Sequence, residues 1–187
     1  MIVPYTLEPR RDTAVSNSTL GLWLFLASEM MLFGALFSTY ALLRVSAPEW
    51  PSGRSVLDLT LGGANTVVLF MATMSAWRAR ALPLEGARRW LGINSALAVV
   101  FLVVKSLEYR HEIASGFVPA VNTFWGIYFV LTGLHVLHVI GGLIANAWAL
   151  AGRAGSAMTL NRVRLLSVYW AFVDVVWIAI FVLLYLS

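Results

Sequence analysis

The chain has 187 residues, 60% of them hydrophobic and 12% charged, with a mean hydropathy of +0.81; soluble domains carry about twice that charged share, so most of the surface is expected to face lipid. Its formal charge of +4 is spread between apolar runs rather than gathered into an arm or patch, which argues against a nucleic-acid partner. Cysteine is absent, which excludes disulfides, iron–sulfur clusters, thiolate-ligated or CxxCH-attached haem and a cysteine-bridged copper centre.

Residues 1–18 read as a mobile polar tail without the apolar segment of a cleavable signal peptide. Residues 19–187 then hold five stretches of the length needed to cross a bilayer, about 20 mostly apolar residues each. They run over about 20–43, 57–77, 90–107, 121–150 and 166–186. The expected fold is all-α, an integral membrane bundle of five transmembrane helices with short connections. Asn17, Ser18 and Thr19 offer a helix N-cap for the first. With five spans, the tail, the second loop and the last loop share one side. That side carries Arg10, Arg11, Arg78, Arg80, Arg88, Arg89, Arg153, Arg162 and Arg164, nine in all, against Arg44, Arg54 and Arg110 opposite. This bias predicts a cytoplasmic N-terminus and an external C-terminus.

The first helix carries Glu29, about 14 Å in from its start, with Phe25 and Phe33 one turn away on the same face. Such an acid either closes a hydrogen bond across a helix interface or marks function. In the third helix Lys105 and Glu108 stand at i and i+3 near the outer end, as an intrahelical ion pair or a snorkelling lysine would. In the fourth, His135 and His138 share a face. His111 lies outside the spans, and two intramembrane histidines are too few for a haem–copper centre. An interhelical hydrogen-bonding role is therefore expected for them rather than a metal site. Asp174 lies about 12 Å into the fifth helix and His138 about 15 Å from its inner end. Glu29, His138 and Asp174 thus approach one level in the inner half of the membrane, and with His135 they make a candidate polar network. His138 is the expected partner of Glu29.

Several strings together resemble subunit III of the haem–copper oxidases. GLWLFLASEMMLFGALFSTY is similar to the family segment around its membrane carboxylate, with Glu29 at that position. Asn65 and Thr66 match an Asn-Thr pair near the start of the next helix. KSLEY resembles Q-x-x-E-Y, with Lys105 in place of Gln. FVLTGLHVLHVIGG matches the TG-x-H-x-x-H-V segment at His135 and His138, and YWAFVDVVWI matches YWHFVDVVW at Asp174 and Trp177. The resemblance covers Gly21 to Ser187 in the five-helix form. That form lacks the two N-terminal helices that build a lipid-holding cleft in longer members. The chain departs from the pattern at Ala171, Val168 and Arg164, where the family carries His, Trp and an acidic residue.

The resemblance implies a non-catalytic subunit of a terminal oxidase in a bacterial plasma membrane. Such a subunit packs on subunit I beside subunit II, binds phospholipid, and supports proton uptake and durable turnover. Haem and copper are expected in the partner subunits and no cofactor or metal in this chain. Lipid headgroups are expected near Arg78, Arg80 and Arg164. Cytochrome c is favoured as electron donor, because the quinol branch often carries Asp where this chain has Glu29. Two related readings are a nitric oxide reductase companion and a quinol oxidase subunit. A small proton-coupled transporter relaying through Glu29, His138 and Asp174 is the reading of another class, although the inverted repeats and broken helices of transporters are not seen.

Overall fold

The structure, a computed structural model, describes residues 7–9, 14–151 and 157–187. Among these residues it contains α1 (Asn17–Ser46), α2 (Gly53–Val56), α3 (Leu59–Arg80), α4 (Leu84–Ala114), α5 (Thr123–Leu150) and α6 (Ala157–Tyr185). All but α2 are long and apolar enough to cross a membrane. Most of the N-terminal tail lies outside the described residues, as do Arg10, Arg11 and Arg153 of the arginine count; Pro9 and Ser16 form an isolated antiparallel bridge.

The helices run longer than the apolar stretches. Hydropathy marks the part of a helix that lipid covers, whereas backbone hydrogen bonding continues past it. So α4 takes in Glu85, Arg88 and Arg89 before its apolar segment and Glu108, Arg110 and Glu112 after it. α6 begins nine residues ahead of the expected start, with Asn161, Arg162 and Arg164 in its first turns. The cap of α1 is Ser16, just ahead of the expected triplet, its hydroxyl accepting from the Thr19 amide at 3.4 Å. Asp58 caps α3 and Asn122 caps α5 in the same manner.

The α3–α4 pair shares the most extensive contact, followed by α3–α6 and α5–α6. Small side chains allow it: Ala72, Ala76 and Ala79 on α3, and Ala87 and Ala98 on α4, are fully buried. Close backbone approach maximises dispersion contact where lipid offers no hydrophobic drive. α1 stands apart. It packs only a narrow stripe, Leu26, Phe33 and Tyr40 at seven-residue spacing, against α5 and α6.

At the end opposite the tail, the last carbonyls of α6 have no partner within their own helix. They are satisfied from the α1–α2 segment. Gly53 N–H donates to Ser187 O (3.0 Å), Ser52 Oγ to Ser187 O (3.1 Å), Arg54 Nε to Leu186 O (3.2 Å), and Tyr40 OH to Leu183 O. A Cβ at Gly53 would lie 1.7 Å from Leu184 O, so only glycine lets α2 close on α6.

Candidate functional site

Glu29 on α1 meets His138 on α5, with Oε2 and Nε2 2.9 Å apart and both side chains mostly buried. Two further contacts fix the imidazole and a third fixes the backbone of the same residue. Its Nδ1 lies 2.8 Å from Leu134 O, the Phe33 ring packs edge-on at 5.1 Å, and Tyr169 OH donates to the His138 carbonyl at 2.8 Å. A carbonyl only accepts, so Nδ1 carries a hydrogen. The Nε2–Oε2 contact then shares a single proton, whichever atom holds it, and the pair has no net charge. This is a closed acid–base pair across a helix interface.

The other two candidates do not join it. His135, three residues from His138, is rotated toward the bundle core rather than toward α1. It is fully buried, its ring 5.6 Å from Phe101 and 5.2 Å from Trp177, and neither ring nitrogen has a hydrogen-bond partner among the described residues. Asp174 is buried on α6 beside Thr73 of α3, with Oδ1 likewise unpartnered among the described residues. Equal depth along the membrane normal leaves the direction around each helix undetermined, and here the directions differ. Among the described residues no direct hydrogen bond joins His135 or Asp174 to the Glu29–His138 pair.

Two polar clusters were not singled out from the sequence as cross-helix sites. Asn146 on α5 donates to Asn94 Oδ1 (2.6 Å) and Ser95 Oγ (3.0 Å) on α4, and accepts from Trp170 Nε1 (3.2 Å) on α6. Asn94 Nδ2 donates to Ala72 O of α3 at 2.7 Å, so four helices are tied at one level. The only available signal was two asparagines inside otherwise apolar runs. The second cluster surrounds Lys105 and Glu108. Their ion pair forms at 3.1 Å as expected, but snorkelling is overturned: both residues are buried and face the bundle interior, because Tyr128 and Tyr185 supply the partners that water would.

Arg78, Arg80 and Arg164 are exposed, with the Arg80 guanidinium 5.1 Å from the Trp77 ring centre. Near the tail end, α1, α5 and α6 line an open apolar cavity of about 530 Å³ bordered by Leu22, Phe25, Ala145, Trp148, Arg162 and Tyr169. Arg162 lies flat over Trp148 at 3.5 Å on its border. Among the described residues no group of three or more His, Asp or Glu side chains is placed to hold a metal ion.

The fold and site together define a polytopic helical membrane protein whose intramembrane acid is matched by a histidine across a helix interface. The chain belongs to the cytochrome c oxidase subunit III family, whose model matches residues 5–187. It is 33% identical over 180 residues to cytochrome bo(3) ubiquinol oxidase subunit 3 of Pseudomonas aeruginosa, covering 91% of this chain and 85% of that one. It is 34% identical over 175 residues to cytochrome c oxidase subunit 3 of Synechocystis, covering 89% and 74%. A further relative, the heme-copper oxidase subunit I+III of Aeropyrum pernix, is 33% identical over 183 residues; the match spans 88% of this chain and 22% of that longer one. The chain is thus a subunit III of the haem–copper oxidases, an oxidoreductase complex, and its family associates with subunit I.

Proposed function

We propose that this chain sits in a bacterial plasma membrane, with its N-terminus cytoplasmic, beside subunits I and II of a terminal oxidase. There it holds phospholipid and supports proton uptake and durable turnover while the partner subunits carry the haem and copper. The whole-length family match carries this reading. The apolar cavity bordered by Arg162 suits an acyl chain with its phosphate at the guanidinium, and the exposed Arg78, Arg80 and Arg164 suit neighbouring headgroups. Cytochrome c is the donor favoured by Glu29, where the quinol branch often has Asp; relatives named for either donor are similar to this chain at 33–34% identity. A self-contained relay is disfavoured, because Glu29 and His138 satisfy each other and Asp174 lies on a different helix face.

Native purification followed by mass spectrometry, a visible spectrum and gas consumption tests the assignment. The chain is expected to co-purify with a large haem-bearing subunit, with retained phospholipid, and with cytochrome c-driven oxygen uptake. Isolation of the chain alone, or reduction of nitric oxide instead of oxygen, would overturn it. Orientation is tested separately. A reporter fused after Ser187 is expected to work only outside the cytoplasm, and activity inside would reverse the topology.

A further inference from the structure

We infer that the end of the bundle opposite the tail contains a cation-recognition site, which the chain fills with its own Lys105, and whose charge balance ties α4, α5 and α6 together. The site is built from three helices. Tyr128 comes from α5, Trp177 and Tyr185 from α6, and Glu108 and Tyr109 from α4, the helix that bears the lysine. The ammonium nitrogen lies 5.2, 4.7, 5.5 and 5.4 Å from the ring centres of Tyr109, Tyr128, Trp177 and Tyr185. The ring centres of Tyr109 and Trp177 are within cation–π range, whereas Tyr128 and Tyr185 meet the ammonium through their hydroxyl oxygens. Two of its hydrogens have acceptors in Tyr128 OH at 3.0 Å and Tyr185 OH at 2.7 Å, and Glu108 Oε2 lies 3.1 Å away as the ion-pair partner. Both phenols in turn donate to Glu108 Oε1, Tyr128 at 2.8 Å. An aromatic box closed by a carboxylate is the arrangement that recognises ammonium ions, and here its occupant is tethered in cis.

The surroundings fix the box. A Cβ at Gly62 of α3 would lie 2.7 Å from the Tyr185 ring, so that ring is seated against bare backbone. Tyr109 OH and Thr132 Oγ1 are 2.6 Å apart, which holds another wall. Lysine and glutamate are both buried, so removing either partner leaves the other as an uncompensated buried charge. That loss is far more costly than replacing both.

The test is a double substitution with chemical rescue, read as the apparent melting midpoint of the purified full chain. Lys105→Ala is expected to lower the midpoint by about 10 °C. Lys105→Ala combined with Glu108→Gln is expected to recover at least half of that loss, because no charge is then left alone. Millimolar n-propylammonium, which reproduces the severed end of the lysine, is expected to raise the midpoint of Lys105→Ala and to leave the native chain and the double variant unmoved. Native-like stability of Lys105→Ala overturns the proposal, and so does an equal response of all three proteins to the amine. If Lys105→Ala does not accumulate, the double variant decides. Accumulation at the native level supports the site, and failure of both overturns it.

Discussion

Replacing Gly142 with alanine is expected to push α5 and α6 apart and to destabilise the purified chain by about 2–4 kcal/mol, with leucine preventing assembly altogether. A Cβ at Gly142 would lie 2.7 Å from Trp170 Cζ2 and 3.0 Å from Cη2. The indole cannot yield. It is completely buried, and its Nε1 donates to Asn146 Oδ1, which belongs to the four-helix polar layer. The Trp170 carbonyl also accepts from Thr73 of α3 at 3.2 Å, so rotating or withdrawing the residue breaks ties to two helices. The cost therefore combines overpacking with lost buried hydrogen bonds. Gly34 and Gly92 provide the control. Nothing lies within 4 Å of a Cβ at either, so alanine there is expected to be neutral or slightly stabilising through helix propensity. Apparent thermal midpoints of the three alanine variants check this, and equal midpoints would show that α5 and α6 do not meet as tightly as described.

The contrast between these glycines explains what could be read in the sequence. Hydropathy gives the number of spans and their order because lipid imposes length and composition on each helix separately. It does not show which glycine faces a tryptophan, since Gly34 and Gly142 both sit in apolar runs. Pairings were readable only where chemistry limited the choices. Glu29 needs a partner, and few side chains at its depth can provide one, so His138 could be anticipated. Asp174 has the same depth, but nothing in the sequence fixes its direction around α6 relative to α1. For Lys105 an ion pair with Glu108 or snorkelling is readable from its spacing and its position near a helix end, whereas the convergence of Tyr128 and Tyr185 from 23 and 80 residues away is not. The short α2 escaped notice because its closure on α6 depends on a backbone approach at Gly53 rather than on apolar periodicity.

Substitution of Glu29 separates a packing role from a proton-relay role. Nδ1 of His138 keeps its hydrogen on Leu134 O, so Nε2 is the atom that faces residue 29. A glutamine there has nearly the shape of glutamate and an N–H that can donate to Nε2, so Glu29→Gln retains the contact without a titratable proton. If the pair serves to pack α1 on the bundle, Glu29→Gln is expected to assemble normally and to support near-native oxygen consumption. Glu29→Ala removes the partner and leaves Nε2 unsatisfied under the Phe33 ring. The loss is about 1 kcal/mol by the measure of membrane hydrogen bonds. That is enough to matter because α1 has only a narrow buried stripe holding it. Partial loss of the subunit from the complex and a faster decline of activity during turnover are expected. His138→Ala should copy Glu29→Ala, and the double variant should be little worse than either single one, since one contact is lost in all three. Subunit retention after purification and the time course of oxygen uptake report these outcomes together. A Glu29→Gln complex that is fully assembled yet does not turn over would place the carboxyl in the proton path, and the packing role would then be wrong.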